Sequence, residues 1–238
     1  MNRSVRMTRW VTFLWTIATI LILSQPAQAH IVAGESGGFL SGLKHPWSGW
    51  DHICAMVAVG MWGAQLGVPA IWVLPVTFPV IMAFGGFLGL IGVRFPGDQI
   101  GDEIGIAASA IMLGLVVLMA ARPPLAAAMT LVGIFGLCHG YAHGRELPPG
   151  QSGLLYSIGF VVATGTLHAL GITIGLLHRW KAGRGFIRTA GAAITLAGFY
   201  FLYSAFHEEP EKPASPPAAV STVMSLQSVT AISVHGVS

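Results

Sequence analysis

Apolar residues along this chain gather in long runs, and short segments rich in Gly, Pro and charge separate the runs. Six runs are about 17–24 residues long, close to the roughly 20 residues that a membrane-spanning helix needs. They cover Trp50–Leu66, Ile71–Val93, Ile104–Ala121, Leu125–Tyr141, Leu154–Leu177 and Phe186–Phe206. The pattern therefore predicts an all-α, polytopic membrane protein with six transmembrane helices.

The first residues have the organisation of a secretory signal. Three arginines within residues 3–9 precede a shorter apolar stretch, Val11–Leu23, and the small-residue pattern A-x-A follows at Ala27–Ala29. We expect residues 1–29 to be a cleavable signal peptide. The alternative that this stretch stays attached as a first helix is left open.

The chain after the signal divides into two parts. Residues 30–206 hold the six apolar runs and form the expected transmembrane domain. Residues 207–238 contain four prolines between positions 210 and 217 and then a Ser/Val-rich end, which is typical of a disordered tail.

Composition narrows the class of protein. Hydrophobic residues make up 54% of the chain and charged residues 9%, with a mean hydropathy of +0.71, whereas soluble domains average about 25% charged residues. An ordinary soluble enzyme, a disordered protein and a nucleic-acid binder are therefore excluded. The second apolar run carries Gly85 and Gly89 at the small-xxx-small spacing of close helix packing, and Pro75 and Pro79 predict a kink.

Charge placement predicts the orientation in the bacterial inner membrane. A cleaved signal followed by six spans leaves both mature termini in the periplasm. The short loops then assigned to the cytoplasm carry or adjoin five basic residues: Arg122, Arg179, Lys181, Arg184 and Arg188. Four basic residues are spread over much longer periplasmic segments, so the positive-inside rule favours this topology.

A first group of metal-ligating residue types lies at the start of the first span. If a helix begins at Pro46, His45 and His52 are two turns apart and project in similar directions. Asp51 could ligate a metal or could fix the orientation of a histidine. Met56 shares the face of His52, although core packing is the favoured role for it. An interfacial helix start with polar residues facing lipid headgroups is the alternative.

A second group closes the fourth span. His139 and His143 are four residues apart and share a helical face, a spacing that suits one metal ion. Glu146 joins that face if the helix continues, although Gly144 favours an end there. Two histidines with ordinary hydrogen-bond partners near the interface are the alternative.

His168 differs because it lies near the middle of the fifth span. An ionisable residue at that depth indicates function by default, so we expect an inner ligand that receives an ion from the outer groups; a histidine hydrogen-bonded to another helix is the alternative. Glu103 could neutralise the ion or cap its own helix, and both roles stay open. His30 at a mature N-terminus could be a first capture point.

The ligand types restrict the ion. Imidazole and carboxylate groups suit Ni, Co, Zn or Cu(II), whereas Mg and Ca prefer sites made of oxygen alone. Cys54 and Cys138 are too few for a cysteine-based zinc site, and small buried residues are the favoured interpretation. A disulfide between them is left open.

The motifs resemble those of a known family. The patterns are His45-x5-Asp51-His52, His139-Gly140-x-x-His143-Gly144-x-Glu146 and Ala163-Thr164-x-x-Leu167-His168. With the signal and six spans, they resemble the HupE/UreJ family over roughly residues 30–206. The resemblance implies a nickel permease, with cobalt in some members, that serves hydrogenase or urease maturation. It carries over His45, Asp51, His52, His139, His143 and Glu146 as metal-handling residues. Cys138 departs from the aromatic residue usual before His139.

The sequence thus predicts an inner-membrane permease that imports Ni²⁺, or Co²⁺, from the periplasm to the cytoplasm. We expect no catalytic residues and no permanently bound cofactor, and no Walker A motif indicates an ATPase. The expected partners are the metal ion and the lipid bilayer, without nucleic acid. A homo-oligomer and a metallochaperone partner are left open.

Three other functions remain as alternatives. A periplasm-facing metal chaperone or sensor would use the same outer ligands without transport. An intramembrane haem protein normally needs histidines at matching depths on facing helices, and His168 alone is deep. A membrane enzyme is disfavoured because neither G-x-S-x-G nor H-E-x-x-H is present.

Overall fold

The computed structural model describes residues 38–94, 98–147 and 152–207, without the side chains of residues 98–102 and 146. The expected signal peptide and residues 208–238 of the expected tail lie outside the described residues. Within these ranges the structure has α-helices, one short 3₁₀-helix (Leu176–Arg179) and no strand. The α-helices are α1 (Phe39–Ser48), α2 (Trp50–Leu66), α3 (Ala70–Leu90), α4 (Asp98–Met119), α5 (Leu125–Glu146), α6 (Gly153–Gly175) and α7 (Lys181–His207).

The all-α prediction is confirmed, and each of the six apolar runs lies largely within a helix. Four helical segments of the described residues are long and apolar enough to cross a membrane: Ala70–Leu90, Leu125–Arg145, Gly153–Arg179 and Lys181–His207. Glu103–Met119 is apolar but shorter, and α2 has 17 residues. Six crossings therefore stay a prediction.

The prediction of one helix beginning at Pro46 is wrong. Pro46 lies inside α1, which ends at Ser48. Gly49 then has an extended backbone (φ −108°, ψ 123°), and α2 begins at Trp50. Tertiary packing supports the separate α1, because Gly42 and the α6 residue Gly159 let the two backbones touch. His45 and His52 consequently belong to two helices.

Helix α2 is the centre of the bundle. It packs against α3, α4 and α6, and its side chains are buried along nearly the whole helix. Even Asp51, His52 and Gln65 are buried. Hydrogen bonds offset part of the cost of burying these groups, because Asp51 accepts from His52 and the Gln65 amide donates to the Val117 carbonyl at 3.0 Å.

Among the described helix pairs, α3 and α5 have the most extensive contact. A Cβ atom at Gly85 or Gly89 of α3 would collide with the α5 backbone, and one at Gly140 or Gly144 of α5 would collide with the α3 backbone. This confirms the packing face predicted from Gly85 and Gly89. Small residues on both sides let the backbones meet, and the same contact fixes the position of the α5 histidines.

The bundle has two ends, which we define by the helices that begin or end at each. The histidine end is where α2 begins and α3 and α5 end. The basic end is where α2 ends and α7 begins; Arg179, Lys181 and Arg184 lie there. Helix α7 returns along α4, and Arg188 donates from Nε to the Leu118 carbonyl at 2.9 Å.

Candidate metal centre

Three histidines from three helices meet near the histidine end. They are His45 of α1, His52 of α2 and His143 of α5, with 5%, 2% and 5% of their surfaces exposed. One ring nitrogen from each lies within 4.8 Å of the others. Their ring centroids are 4.5–5.5 Å apart. We call these residues the histidine triad, and it confirms that the first and fourth predicted spans converge.

Asp51 orients one member of the histidine triad. Its Oδ1 accepts from the Nδ1–H of His52 at 2.8 Å and from the His52 backbone N–H at 2.8 Å. Because the carboxylate holds the Nδ1 proton, Nε2 of His52 presents its lone pair. Carboxylates commonly hold metal-binding histidines in this way. Asp51 thus acts through His52 and is not among the atoms that converge.

The spacing of the triad suits a metal ion. The Nε2 atoms of His52 and His143 are 2.8 Å apart, a hydrogen bond in which His143 donates Nε2–H to the lone pair of His52, and an ion bound by both nitrogens takes the place of that proton. Two nitrogens that each bind one ion at about 2.0–2.1 Å, at a right angle, lie roughly 2.9 Å apart. Opposite ligands lie roughly 4.2 Å apart. The three ligand nitrogens all lie within 4.8 Å of one another, so a movement of about 0.6 Å or less brings them to that spacing.

His139 lies one turn deeper on α5. Its ring centroid is 5.2 Å from that of His52, and it is fully buried. Its Nε2 is 2.8 Å from the hydroxyl of Ser109 on α4. His139 therefore lies next to the triad as a separate position.

His168 lies beyond an aromatic ring. Phe78 of α3 makes edge contacts with both His139 and His168, at centroid distances of 5.3 and 5.5 Å. His168 is 1% exposed, and its Nδ1–H donates to the Pro75 carbonyl at 3.1 Å. Thr164, one turn away on α6, is also fully buried. The bond to a carbonyl of α3 is the arrangement that the alternative interpretation of His168 describes, and its role as an inner ligand stays a prediction.

Comparisons with known proteins agree with this arrangement. A family model described as HupE / UreJ protein matches residues 18–201. This chain belongs to the HupE/UreJ family. It is 44% identical over 181 residues to Protein HupE of Rhizobium leguminosarum bv. viciae, which covers 76% of this chain and 93% of that relative. No solved structure matches the chain.

The HupE/UreJ match spans every histidine of the site, from His45 to His168. Family membership and the long apolar helices identify a multi-pass membrane protein. Apolar side chains of α3 and α7, such as Trp72 and Phe199, are exposed on the surface of the bundle, as expected of helices in contact with lipid.

Two acidic residues of the predicted site stay outside the triad. Glu103 is half-buried near the histidine end of α4 and is not among the converging ligand atoms; its two expected roles stay predictions. Glu146 ends α5, so the expected helix end at Gly144 is wrong. The Glu146 side chain lies outside the described residues. Close packing on α3 holds Gly144 in the helix.

Several site residues of this HupE/UreJ protein were missed from the sequence. Phe160 packs on His143 at a centroid distance of 4.6 Å, and Phe78 lies between two histidines. From residue type alone, both phenylalanines would be assigned to the hydrophobic core. Ser109 did leave a signal, because it is the only hydroxyl in the run Ile104–Ala121. Cys54 and Cys138 are not joined in a disulfide.

A small cavity adjoins the triad. It lies between α3, α5 and α6, has a volume of about 40 Å³ and reaches His143. A water molecule needs about 10–15 Å³ of such volume, so the cavity has room for a few waters. Leu90, Leu147 and Phe160 form part of its largely apolar wall.

Proposed function

We propose that the protein is a permease that moves a divalent transition-metal ion across the bacterial inner membrane into the cytoplasm. Nickel is the preferred ion and cobalt the second candidate, for hydrogenase or urease maturation, as the family resemblance implies. The observation that carries the proposal is the histidine triad: three buried imidazoles from three helices, with ligand nitrogens within 4.8 Å.

The chemistry of the triad supports a transition metal. Imidazole nitrogens suit nickel, cobalt, zinc and copper, whereas magnesium and calcium prefer oxygen ligands. Burial removes competing water from the ligands, and Asp51 holds His52 with the Nε2 lone pair turned toward His143. These features favour capture of an ion that has lost much of its hydration.

The order of the histidines supports transport over simple capture. His139 lies beside the triad, and His168 lies on the other side of Phe78. A conducting path needs several sites, each weak enough to release the ion to the next. The cavity beside His143 supplies room for a partly hydrated ion on its way to the triad.

The distribution of charge supports the direction. Basic residues cluster at the basic end, which the positive-inside rule assigns to the cytoplasm. The triad then faces the periplasm, so the ion meets the buried imidazoles before it meets His168.

The test is uptake of ⁶³Ni²⁺ by cells that express single variants, with the amount of protein in the membrane measured. His52→Ala is expected to lower uptake at least about 10-fold, since outer-shell changes alone cost about 10–100-fold. His178→Ala is the matched control. His178 lies at the basic end, where its ring bonds the Gly175 carbonyl of its own chain segment at 2.8 Å. Wild-type uptake by His52→Ala would contradict the proposal.

His168→Ala separates a permease from a metal sensor or chaperone that ends at the triad. A permease loses uptake in this variant, while nickel binding by the purified protein persists through the triad. Full uptake by His168→Ala would favour a route that does not use the deep histidine.

A further inference from the structure

Outside the histidine triad, His139 and His168 each have one ring nitrogen engaged and the other unengaged. Among the described residues, the Nδ1 of His139 and the Nε2 of His168 are buried and have no hydrogen-bond partner. A buried polar atom without a partner is uncommon and calls for a reason. In each case the engaged nitrogen determines what the other can do.

Ser109 determines the state of the His139 ring. Its hydroxyl has a single proton, which we assign to the Ile106 carbonyl because that contact, at 2.6 Å, is shorter than the 2.8 Å contact with His139 and a carbonyl can only accept. The oxygen can then only accept from His139, so Nε2, at 2.8 Å, carries the ring proton. In a neutral imidazole the other nitrogen is unprotonated. Nδ1 of His139 therefore carries no proton, and its lone pair is available inside the protein.

The Pro75 carbonyl determines the state of the His168 ring. In a helix this carbonyl would accept from the N–H four residues later, but residue 79 is a proline and has no N–H. The carbonyl is thus available to another helix, and His168 of α6 donates Nδ1–H to it at 3.1 Å. Nε2 of His168 is left as the lone pair.

We infer that Ser109 and Pro79 are positioning residues that fix opposite tautomers in consecutive histidines. His139 presents Nδ1 to the ion, and His168 presents Nε2. Loss of either arrangement would leave a buried polar group unsatisfied, which is unfavourable, so each tautomer is held. The passage of an ion between the two rings rests on the proposed function, whereas the tautomers do not.

The first measurement is ¹⁵N NMR of histidine-labelled, metal-free protein, because the two ring nitrogens differ between tautomers. Each signal is assigned from a variant that lacks that histidine. Wild-type protein is expected to show Nε2–H at His139 and Nδ1–H at His168. The opposite assignment at either ring would overturn the inference, whether or not the protein transports metal.

Proline variants test the origin of the His168 tautomer. Pro79→Ala restores the N–H that bonds the residue 75 carbonyl within α3, so His168 is expected to lose its Nδ1–H signal. Pro75→Ala is the matched control. It removes a proline from the same helix, but it keeps the carbonyl of residue 75 and the missing N–H of residue 79. An unchanged His168 tautomer in Pro79→Ala would overturn the inference.

Serine variants test His139 in the same way. Ser109→Ala is expected to lose the Nε2–H preference of His139 and to lower ⁶³Ni²⁺ uptake about 10–100-fold; Ser109→Thr, which keeps the hydroxyl, is expected to restore both. Altered tautomers with full uptake in Ser109→Ala and Pro79→Ala would overturn the positioning role and leave the permease proposal intact. Absent uptake in wild-type protein would instead remove the permease.

Discussion

At the scale of single residues, neighbouring histidines of one helix have different tasks. His143 belongs to the triad and contacts the cavity, whereas His139, one turn away, is engaged with Ser109 of α4. The sequence places both on one face but does not distinguish them, because the difference comes from the residues of other helices. Asp51 shows the same effect, since its position beside His52 was open to two roles until the hydrogen bonds were known.

Two substitutions of Asp51 test whether its carboxylate orients His52. Asp51→Ala leaves the His52 Nδ1–H without its acceptor and frees the ring to turn. We expect nickel affinity of the purified protein, measured by titration calorimetry, to fall about 10–100-fold. Asp51→Asn keeps an acceptor oxygen without the charge, so its nickel affinity should lie between those of the wild-type protein and Asp51→Ala. Equal affinity in all three proteins would mean that Asp51 does not orient His52.

At the scale of helices, glycine decides where the site can form. The break at Gly49 lets His45 approach His52 from a separate helix. The glycines of α3 and α5 bring two backbones together, and this sets how deep His139 and His143 lie. Neither result depends on the histidines themselves.

Gly140→Ala tests this packing without touching a ligand side chain. The new Cβ would collide with the Met82 carbonyl, a backbone atom that cannot move aside. We expect a loss of about 1–3 kcal/mol or more in stability, as overpacking produces. Thermal unfolding in detergent measures it as a lower Tm.

Gly165→Ala is the matched control for Gly140→Ala. No atom outside its own helix turn lies within 4 Å of the position that its Cβ would occupy. Alanine is favoured over glycine in a helix by about 1 kcal/mol, so the Tm should stay unchanged or rise. A similar decrease in both variants would contradict the packing argument.

At the scale of the whole molecule, the histidine triad and the group of basic residues before α7 lie at opposite ends of the bundle. The triad lies toward the histidine end, and the basic residues of the loop before α7 lie at the basic end. With the orientation that the positive-inside rule predicts, the triad is on the periplasmic side, where an incoming ion is expected to meet it first.

Cysteine labelling of the full chain tests the orientation. Val68 at the basic end is 84% exposed, and Ile91 at the histidine end is 57% exposed. In spheroplasts, a membrane-impermeant maleimide should label Ile91→Cys but not Val68→Cys. Inverted vesicles should give the reverse. Wild-type protein is the control for Cys54 and Cys138, and labelling of Val68→Cys in spheroplasts would contradict the orientation.

The sequence alone determined the helical membrane class and which residues could bind a metal. The long apolar runs, in a chain with 9% charged residues, have the length of spanning helices, and a helix bonds its own backbone groups where lipid offers no partners. The sequence also showed that His139 and His143 share one helical face, because residues four apart lie about one turn apart in any α-helix. These are local properties, so one chain segment suffices to see them.

Only the tertiary structure decided which ligands meet. It separated His45 from His52 at Gly49, brought His143 to both, and placed Phe78 between His139 and His168. It also assigned partners to the rings, through Ser109 and the carbonyl that Pro79 leaves available. Such contacts join residues far apart in the chain, and the helix packing that creates them depends on the fit of many side chains at once.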